Sequence, residues 1–201
     1  MTPRRAPAAD ERQRDAERSK QQLLDAAVIE FGTRGFSGAR VSEIATRAGV
    51  NKQLISYYFG GKQGLYQAVT ERWRADESAL AEPAGTLGEL VAAYARESQA
   101  QPDLARLLIR QGVDQDTSAG DEAEQSTRFQ QVLADIRARQ ANGELAADLD
   151  PAHATLALFA MSAAPITFPQ IAQALGLDPT TKTFTDQYAD QLIRLVTHLA
   201  D

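Results

Sequence analysis

Cysteine is absent from the 201 residues, and only two histidines occur. The chain therefore forms no disulfide and no thiolate metal site, which is compatible with an intracellular compartment. His153 and His198 fall in different predicted helices, and neither stands in a metal-ligand spacing such as HExxH. The segment Gly60-Gly61-Lys62-Gln63-Gly64 lacks the preceding glycine and the following hydroxyl of a P-loop. The sequence thus predicts no metal, no cofactor and no enzymatic activity.

Long apolar runs are also missing. No stretch of about 18 apolar residues is available for a membrane-spanning helix, and the charged N-terminus lacks the apolar core of a signal peptide. The 43% apolar content still suffices for a core in one large or two small domains. We therefore expect a soluble, cytoplasmic protein.

The charge is divided unevenly along the chain. Residues 1–75 hold 13 Lys and Arg against 8 Asp and Glu, a balance of +5, whereas residues 76–201 hold 8 against 19, a balance of −11. A basic N-terminal third can attract phosphates, while an acidic remainder would be held away from a nucleic acid. Acidic helical domains are common, so this asymmetry alone is only suggestive.

The chain divides into three predicted parts. Residues 1–18 mix Pro, Ala and both charges without a large apolar residue, which predicts a disordered arm. Helical periodicity then starts near Ser19, with Gly32 and Gly35 ending the first helix, and continues to the breaker cluster at 82–85. We place a first domain at 19–81 and a second, entirely helical domain at 82–201.

The most informative stretch runs from Val41 to Lys62. Apolar residues recur there at helical spacing until Gly49, a residue that commonly ends a helix in the left-handed conformation. Asn51 can cap a second helix over about 52–59, whose Ile55 pairs with Phe59 on an inward face. The stretch therefore predicts two short helices joined by a tight turn.

The outward face of the second helix carries a cation, an amide, a hydroxyl and a phenol. Such groups bind phosphates or read base edges, and a helix fits the major groove of DNA. A helix-turn-helix places its second helix in that groove. Small helical bundles also contain short helix pairs, so the pattern alone leaves DNA binding and a structural role equally open. The outward residues are Lys52, Gln53, Ser56 and Tyr57.

The neighbouring sequence closely resembles the signature of the TetR family of transcriptional regulators. The resemblance covers about 20–70, a quarter to a third of the chain, in the right order and spacing. It implies an all-α fold with an N-terminal three-helix helix-turn-helix DNA-binding domain and a C-terminal helical ligand-binding and dimerisation domain. The matching segments are Phe31-Gly32-Thr33-Arg34-Gly35-Phe36, Ile44-Ala45, Ala48-Gly49-Val50, Tyr57-Tyr58-Phe59, Gly60-Gly61-Lys62 and Gly64-Leu65-Tyr66.

The resemblance implies DNA contacts at ten positions. Tyr57 and Lys62 look like phosphate anchors, which set register and carry little sequence information. Lys52 and Gln53 look like base readers, through guanine and adenine respectively. Leu54 could touch a thymine methyl group, or it could pack against the first helix of the pair. The ten positions are Arg40, Ser42, Asn51, Lys52, Gln53, Leu54, Ser56, Tyr57, Tyr58 and Lys62.

The start of the first helix of the pair departs from the family. Relatives usually carry Thr or Ser there, whereas this chain has Ala39 and Arg40. Loss of a hydroxyl cap typically costs about 1 kcal/mol. Arg40 would exchange a neutral phosphate contact for a charged one, which keeps it among the DNA-binding candidates.

The resemblance also implies a ligand cavity and a homodimer in the second domain. Six large or charged residues are candidates for ligand contact, although most can equally be core residues, and Arg110 can pair with Asp114. The last two helices would pair with those of a second copy, or they could bury their apolar faces within one chain. The six residues are Trp73, Tyr94, Leu107, Arg110, Phe129 and Phe159.

These features predict a regulator that binds a palindromic operator as a homodimer and leaves it when a small molecule binds. The alternative is a helical small-molecule-binding or protein-interaction module whose helix-turn-helix no longer binds DNA. A helical enzyme that uses the C-terminal cavity is a more distant alternative. The operator, the effector, the regulated genes and the sign of regulation are not encoded in a recognisable pattern.

Overall fold

The computed structural model describes residues 9–81, 85–113 and 122–200, and the side chains of 13–75, 85–110 and 127–200. This part of the chain is helical and contains no strand, which confirms the predicted all-α fold. Its helices are α1 (Ala9–Gly38), α2 (Val41–Ala48), α3 (Gln53–Phe59), α4 (Lys62–Ala81), α5 (Leu87–Ala100), α6 (Pro102–Val113), α7 (Glu122–Ala141), α8 (Pro151–Thr167), α9 (Pro169–Ala174) and α10 (Lys182–His198).

Helix α1 starts ten residues before the predicted start near Ser19, so residues 9–18 are helical and do not belong to a disordered arm. The segment lacks apolar anchors, but it is rich in Ala, Glu, Gln and Arg, which favour helices intrinsically. Local pairs add support, because the Nζ of Lys20 lies 2.9 Å from a carboxylate oxygen of Glu17. Residues 1–8 lie outside the described part.

Gly32 does not end α1 as predicted. The helical conformation is interrupted at Gly35, where φ is 67° and ψ is 174°. Gly32 instead lies inside the helix where α6 crosses it, and a Cβ there would overlap the carbonyl oxygen of Asp103. The glycine is therefore required for the close approach of α6 to α1.

Helices α1 to α4 form an N-terminal unit around a single apolar core. Phe31 and Tyr66 are almost completely buried there and meet edge to face with ring centroids 4.9 Å apart. The guanidinium of Arg72 in α4 also binds the carboxylate of Asp25 in α1 at 2.8 Å. Leu104 and Leu107 of α6 complete this core. The N-terminal unit is thus closed from one side by a helix of the predicted second domain.

Helices α5 to α10 form a C-terminal bundle, in which α5 packs chiefly against α10 and α8. Gly88 allows a close crossing, since a Cβ there would lie 3.1 Å from the backbone of Ile193. A capping box starts α5, because Thr86 accepts a bond from the Glu89 amide and the Glu89 carboxylate accepts one from the Thr86 amide. This bundle has its own apolar core, centred on Leu192 and Val196.

Helix α8 continues through Pro165 and ends at Thr167, before Pro169 starts α9. A proline has no amide hydrogen, so the carbonyl of Met161 lacks its usual partner four residues later. The hydroxyl of Tyr188 in α10 donates to that carbonyl at 2.8 Å. The same contact explains why Tyr188 lies half-buried, and burial raises the pKa of its phenol. A side chain from another helix thus replaces the missing backbone bond.

The C-terminal bundle leaves large apolar side chains exposed on α8, α9 and α10. Leu156 is 71% exposed on α8, and Leu195 is 53% exposed on α10. On α10, Phe184 and Leu192 are buried, whereas Leu195 is turned outward. Exposed apolar side chains on neighbouring helices are typical of an interaction site when they form one patch. Residues 82–84 of the breaker cluster at 82–85 lie outside the described part of the chain, as do residues 114–121.

Candidate nucleic-acid interface

Helices α2 and α3 are joined by the turn that the sequence predicts. Gly49 adopts φ 68° and ψ 27°, and its amide bonds back to the carbonyls of Ala45 and Thr46. Asn51 caps the second helix, because its side-chain oxygen accepts a bond from the Gln53 amide at 2.8 Å. Short-range turn chemistry therefore fixes the angle between the two helices.

The inner faces of the two helices are buried against α1 and α4. Ile44 and Ile55 are at most 1% exposed, and Val50 and Phe59 pack partly buried against the same core. Gly64 is needed at the start of α4, since a Cβ there would overlap the carbonyl oxygen of Phe59. These contacts hold α3 rigidly, with its other face in solvent.

The outer face of α3 presents the predicted DNA contacts. Tyr57 is 80% exposed, which is exceptional for a large aromatic residue in the described part of the N-terminal unit. Asn51, Lys52, Gln53 and Ser56 are exposed beside it. Cationic, amide, hydroxyl and phenol groups thus lie on one solvent-facing surface, as direct readout and phosphate binding require.

Leu54 and Tyr58 occupy intermediate positions. Both are partly buried and pack against the core of the N-terminal unit. The Tyr58 ring meets Tyr57 edge to face at 5.1 Å, and the Nζ of Lys20 lies 5.5 Å from its centre. The bond to Glu17 raises the pKa of Lys20. Sequence reasoning missed Lys20, whose position depends on α1 crossing behind α3.

A second part of the candidate interface is a cleft of about 370 Å³ at the start of α2. Lys62 is held there, because its Nζ donates to the Ser37 carbonyl at 3.3 Å and lies 4.8 Å from the centre of the Phe36 ring. Three cations and two hydroxyls therefore share one concave surface, which suits a phosphate. The residues concerned are Arg40, Ser42, Lys52, Ser56 and Lys62.

The start of α2 lacks a side-chain cap, as the sequence indicated. Arg40 occupies the N-cap position with an exposed side chain. Its backbone amide donates instead to the carboxylate of Glu30 in α1 at 3.3 Å. Glu30 was not among the predicted residues. The only sequence signal for it was the missing hydroxyl at Ala39 and Arg40.

Family comparisons agree with this geometry. Residues 23–69 match the model of bacterial regulatory proteins of the tetR family, and residues 86–194 match that of the tetracyclin repressor-like C-terminal domain. The chain belongs to the TetR family. It is therefore a helix-turn-helix transcriptional regulator, and the resemblance noted in the sequence is confirmed.

Similar proteins extend over nearly the whole chain. The transcriptional repressor SCO4008 of Streptomyces coelicolor is 31% identical over 192 residues, covering 91% of this chain and 97% of the relative. The regulator RutR of Escherichia coli is 27% identical over 206 residues, covering 98% and 97% respectively. The crystal structure of the regulator SCO4942 from Streptomyces coelicolor superposes with a TM-score of 0.70 at 26% identity, covering 90% of this chain and 97% of that one.

The six predicted ligand contacts of this TetR-family chain lie in different environments. Leu107 is fully buried in the core that α6 shares with α1. Phe129 and Phe159 are 44% and 45% exposed, and Arg110 is exposed on α6. Trp73 lies beneath Arg128, whose guanidinium is 4.7 Å from the indole ring. Tyr94 is partly buried on α5, and Asp114, the expected partner of Arg110, lies outside the described residues.

A cleft of about 590 Å³ opens elsewhere in the bundle, where α5 and α8 end and α6 and α10 begin. Its volume lies in the range of small-molecule sites. It is lined by Gln99, Pro102 and Ile166 among others, and by none of the six predicted ligand contacts. The amide nitrogen of Gln99 is buried without a protein partner. This cleft is therefore a second candidate position for a ligand.

The described residues form neither a membrane-spanning helix nor a cluster of metal ligands. No helix there has the length and apolarity that crossing a membrane would take. Nor do three or more metal-binding side chains come together within the described ranges.

Proposed function

We propose that this regulator is a repressor that binds a palindromic operator as a homodimer in the cytoplasm and is released by a small molecule. The exposed face of α3 beside the cationic cleft carries the DNA part of the proposal. Lys52 and Gln53 would read bases, while Tyr57, Lys62 and Arg40 would bind phosphates. The printed name of SCO4008 describes that relative as a repressor, which supports the sign of regulation.

The homodimer is supported by the exposed apolar side chains of α8 and α10, including Leu156 and Leu195. Pairing these faces in two copies would remove them from water and give two-fold symmetry. A two-fold dimer presents two copies of α3 to half-sites about one helical turn apart, as a palindrome requires.

Release by a ligand is supported by the position of α6. Its first turn approaches α1 at Gly32, and Leu104 and Leu107 belong to the core of the N-terminal unit. A ligand that shifts α6 would therefore displace α1 and the helix pair packed on it. Rigid, close-packed contacts of this kind pass small displacements on to their neighbours.

The operator would be found by selecting bound sequences from a random duplex library. The selected duplex is then titrated with wild type, Lys52→Ala and Tyr57→Ala at two salt concentrations. We expect a palindrome whose base preference is relaxed by Lys52→Ala, whereas Tyr57→Ala weakens binding to all sequences and leaves the salt dependence nearly unchanged, because a phenol neutralises no phosphate charge.

Lys182→Ala is the matched control, because this exposed lysine pairs with Asp186 in the bundle, away from the candidate interface. It should leave affinity and base preference unchanged. No enriched palindrome, or equal behaviour of all three variants, would contradict the assignment of the interface.

The single tryptophan can locate the effector. Compounds are first screened for release of the selected duplex, and each active compound is then titrated into the DNA-free protein. A change in fluorescence of Trp73 would support binding in the predicted cavity near α4. Release without a fluorescence change, abolished by Gln99→Leu, would place the effector in the other cleft.

A further inference from the structure

Glu30 is one of three polar or charged residues that are buried in the described part of the chain, with 3% of its surface exposed. A buried carboxylate is costly unless it is paired and hydrogen-bonded. It precedes Phe31, the centre of the apolar core, on the side of α1 that faces the start of α2. Such a group requires a structural or functional reason.

Two groups contact the same carboxylate oxygen of Glu30. Its Oε1 accepts the backbone amide of Arg40 at 3.3 Å and lies 3.2 Å from Nε of Arg34. Arg34 is one turn further along α1 and is half-exposed. The charge is therefore balanced from the solvent side, and the carboxylate is held pointing at the first residue of α2.

This bond is half of a capping box supplied from another helix. In a capping box, a Glu at the third helical position accepts the amide of the N-cap residue. Glu89 does this for Thr86 at the start of α5, with a distance of 2.8 Å. In α2 the corresponding position is Glu43, yet the recorded acceptor is Glu30, ten residues before Arg40. A long-range bond therefore caps α2 and ties it to α1.

The bond between Glu30 and Arg40 affects the geometry of the cationic cleft. Arg40 and Ser42 contribute to it from the start of α2, whereas Lys62 is fixed from the other side by Ser37 and Phe36. The distance between these groups depends on where α2 begins relative to α1. Without the carboxylate, the first turn of α2 would lose its anchor, and Arg40 would no longer be held opposite Lys62.

We propose that Glu30 is a positioning residue for operator binding, which sets the phosphate-binding cleft by capping α2 from α1. The proposal rests on the proposed DNA interface. Glu30 itself points away from solvent and has no expected contact with DNA. It supplies the carboxylate half of a capping box at a helix start that lacks the hydroxyl half.

Two substitutions separate the acceptor from the charge. Glu30→Gln keeps an oxygen for the Arg40 amide but weakens the pair with Arg34, whereas Glu30→Leu removes both. We expect Glu30→Leu to lower operator affinity about tenfold, with Glu30→Gln intermediate, and base preference to stay unchanged. The slope of log affinity against log salt should become less steep by roughly 0.9 for each protomer, the value for one lost phosphate contact.

Asp186→Leu is the matched control, since Asp186 lies on α10, is 53% exposed and pairs with nearby Lys182, away from the candidate interface. It should not change affinity or salt slope. All titrations are made well below the unfolding temperature of each variant, which is measured by circular dichroism. If Glu30→Leu does not fold, the comparison of Glu30→Gln with wild type decides the question.

A rescue experiment distinguishes positioning from general stability. Arg40→Thr creates Thr-x-x-Glu with Glu43, a complete local capping box. In that background, Glu30→Leu should change affinity less than threefold, because the cap of α2 is then local and the arginine that Glu30 positions has been replaced. Equal losses in both backgrounds, or a Glu30→Leu protein with wild-type affinity and slope, would overturn the proposal. Failure of wild type itself to select an operator would instead refute the DNA interface.

Discussion

The N-terminal unit and the C-terminal bundle differ in how completely they bury their large apolar side chains. In the described side chains of the N-terminal unit, only Tyr57 is a large hydrophobic residue with substantial exposure, and it is a candidate DNA contact. The described part of the bundle exposes ten such residues from Phe129 to Leu199, and eight of them lie between Leu156 and Leu199, the segment that contains α8 to α10. The N-terminal unit therefore completes its core within one chain, whereas the bundle carries apolar surface that a single chain does not bury.

This contrast bears on how each region serves the regulator. A closed core fixes the angle and depth of α3, so its polar face keeps one geometry. An apolar face left open can bind a second copy, which doubles the interface and improves affinity for a palindrome. The two regions meet through α6, whose residues Leu104 and Leu107 belong to the core of the N-terminal unit.

The largest effect is expected when charged side chains replace exposed apolar residues of the C-terminal bundle. Leu156→Glu with Leu195→Glu should convert a dimer to a monomer and abolish operator binding, since two carboxylates would be desolvated in each half of the interface. The helix content should be unchanged, because both side chains are exposed in one chain. Sedimentation equilibrium and duplex titration measure these effects.

Thr197→Glu provides the control for that experiment, as an exposed position on α10 about 160° round the helix from Leu195. It should leave the dimer intact. A double variant that remains dimeric would show that Leu156 and Leu195 do not lie in the dimer interface.

Glycine substitutions compare the packing of the two regions directly. Gly64→Ala forces a Cβ onto the Phe59 carbonyl and should cost about 3 kcal/mol, or roughly 10 °C in melting temperature. Gly88→Ala meets the Ile193 backbone at 3.1 Å and should cost about 1 kcal/mol, because the helices need to move only slightly. Gly38→Ala, with its nearest neighbour at 3.4 Å, is the control. Melting temperatures are measured by thermal unfolding. Equal decreases for Gly64→Ala and Gly88→Ala would show that the two regions do not differ in how tightly they pack at these glycines.

Replacing tyrosine by phenylalanine should affect stability at one position and operator binding at another. Tyr188→Phe leaves the Met161 carbonyl without its donor beside Pro165 and should cost about 1–2 kcal/mol of stability. Tyr57→Phe should leave the melting temperature unchanged, because its ring is 80% exposed, and should only weaken operator binding. Calorimetry and duplex titration of both variants test this. A stable Tyr188→Phe protein would mean that water satisfies the carbonyl.

The smallest expected effect concerns pH at the start of α8. The His153 amide and ring, together with the Ala152 amide, bind the Asp150 carboxylate and lower its pKa. A lowered folded-state pKa gives stability that is present above the unfolded-state pKa and is lost as pH falls through the folded one. Asp150→Asn keeps a good cap without the charge. Its melting temperature should lie below that of wild type at pH 7 and converge with it in acid.

Most of the N-terminal unit could be predicted from sequence, because short-range chemistry determines it. Gly49 ends α2 and Asn51 caps α3 through residues within a few positions. The helical register then places Ile55 inward and Tyr57 outward. The predicted start of α1 near Ser19 was wrong, since intrinsic helix propensity extends that helix to Ala9 without any apolar anchor.

Prediction failed where a distant residue supplies the missing group. The sequence did not indicate that Tyr188 of α10 supplies the hydrogen bond that lets α8 pass Pro165 and reach Thr167. Gly32 was expected to end α1, but it allows α6 to approach. The DNA and ligand contacts stay predictions, since their partners are molecules outside this chain.

By itself, the sequence determined the helical fold, the helix-turn-helix and its polar face, because turns, caps and periodicity act over a few residues. The tertiary structure alone decided that Glu30 caps α2, that Tyr188 completes α8 and that α6 joins the N-terminal core. Each of these contacts links residues on different helices. Their formation depends on how the helices pack, which local spacing does not specify.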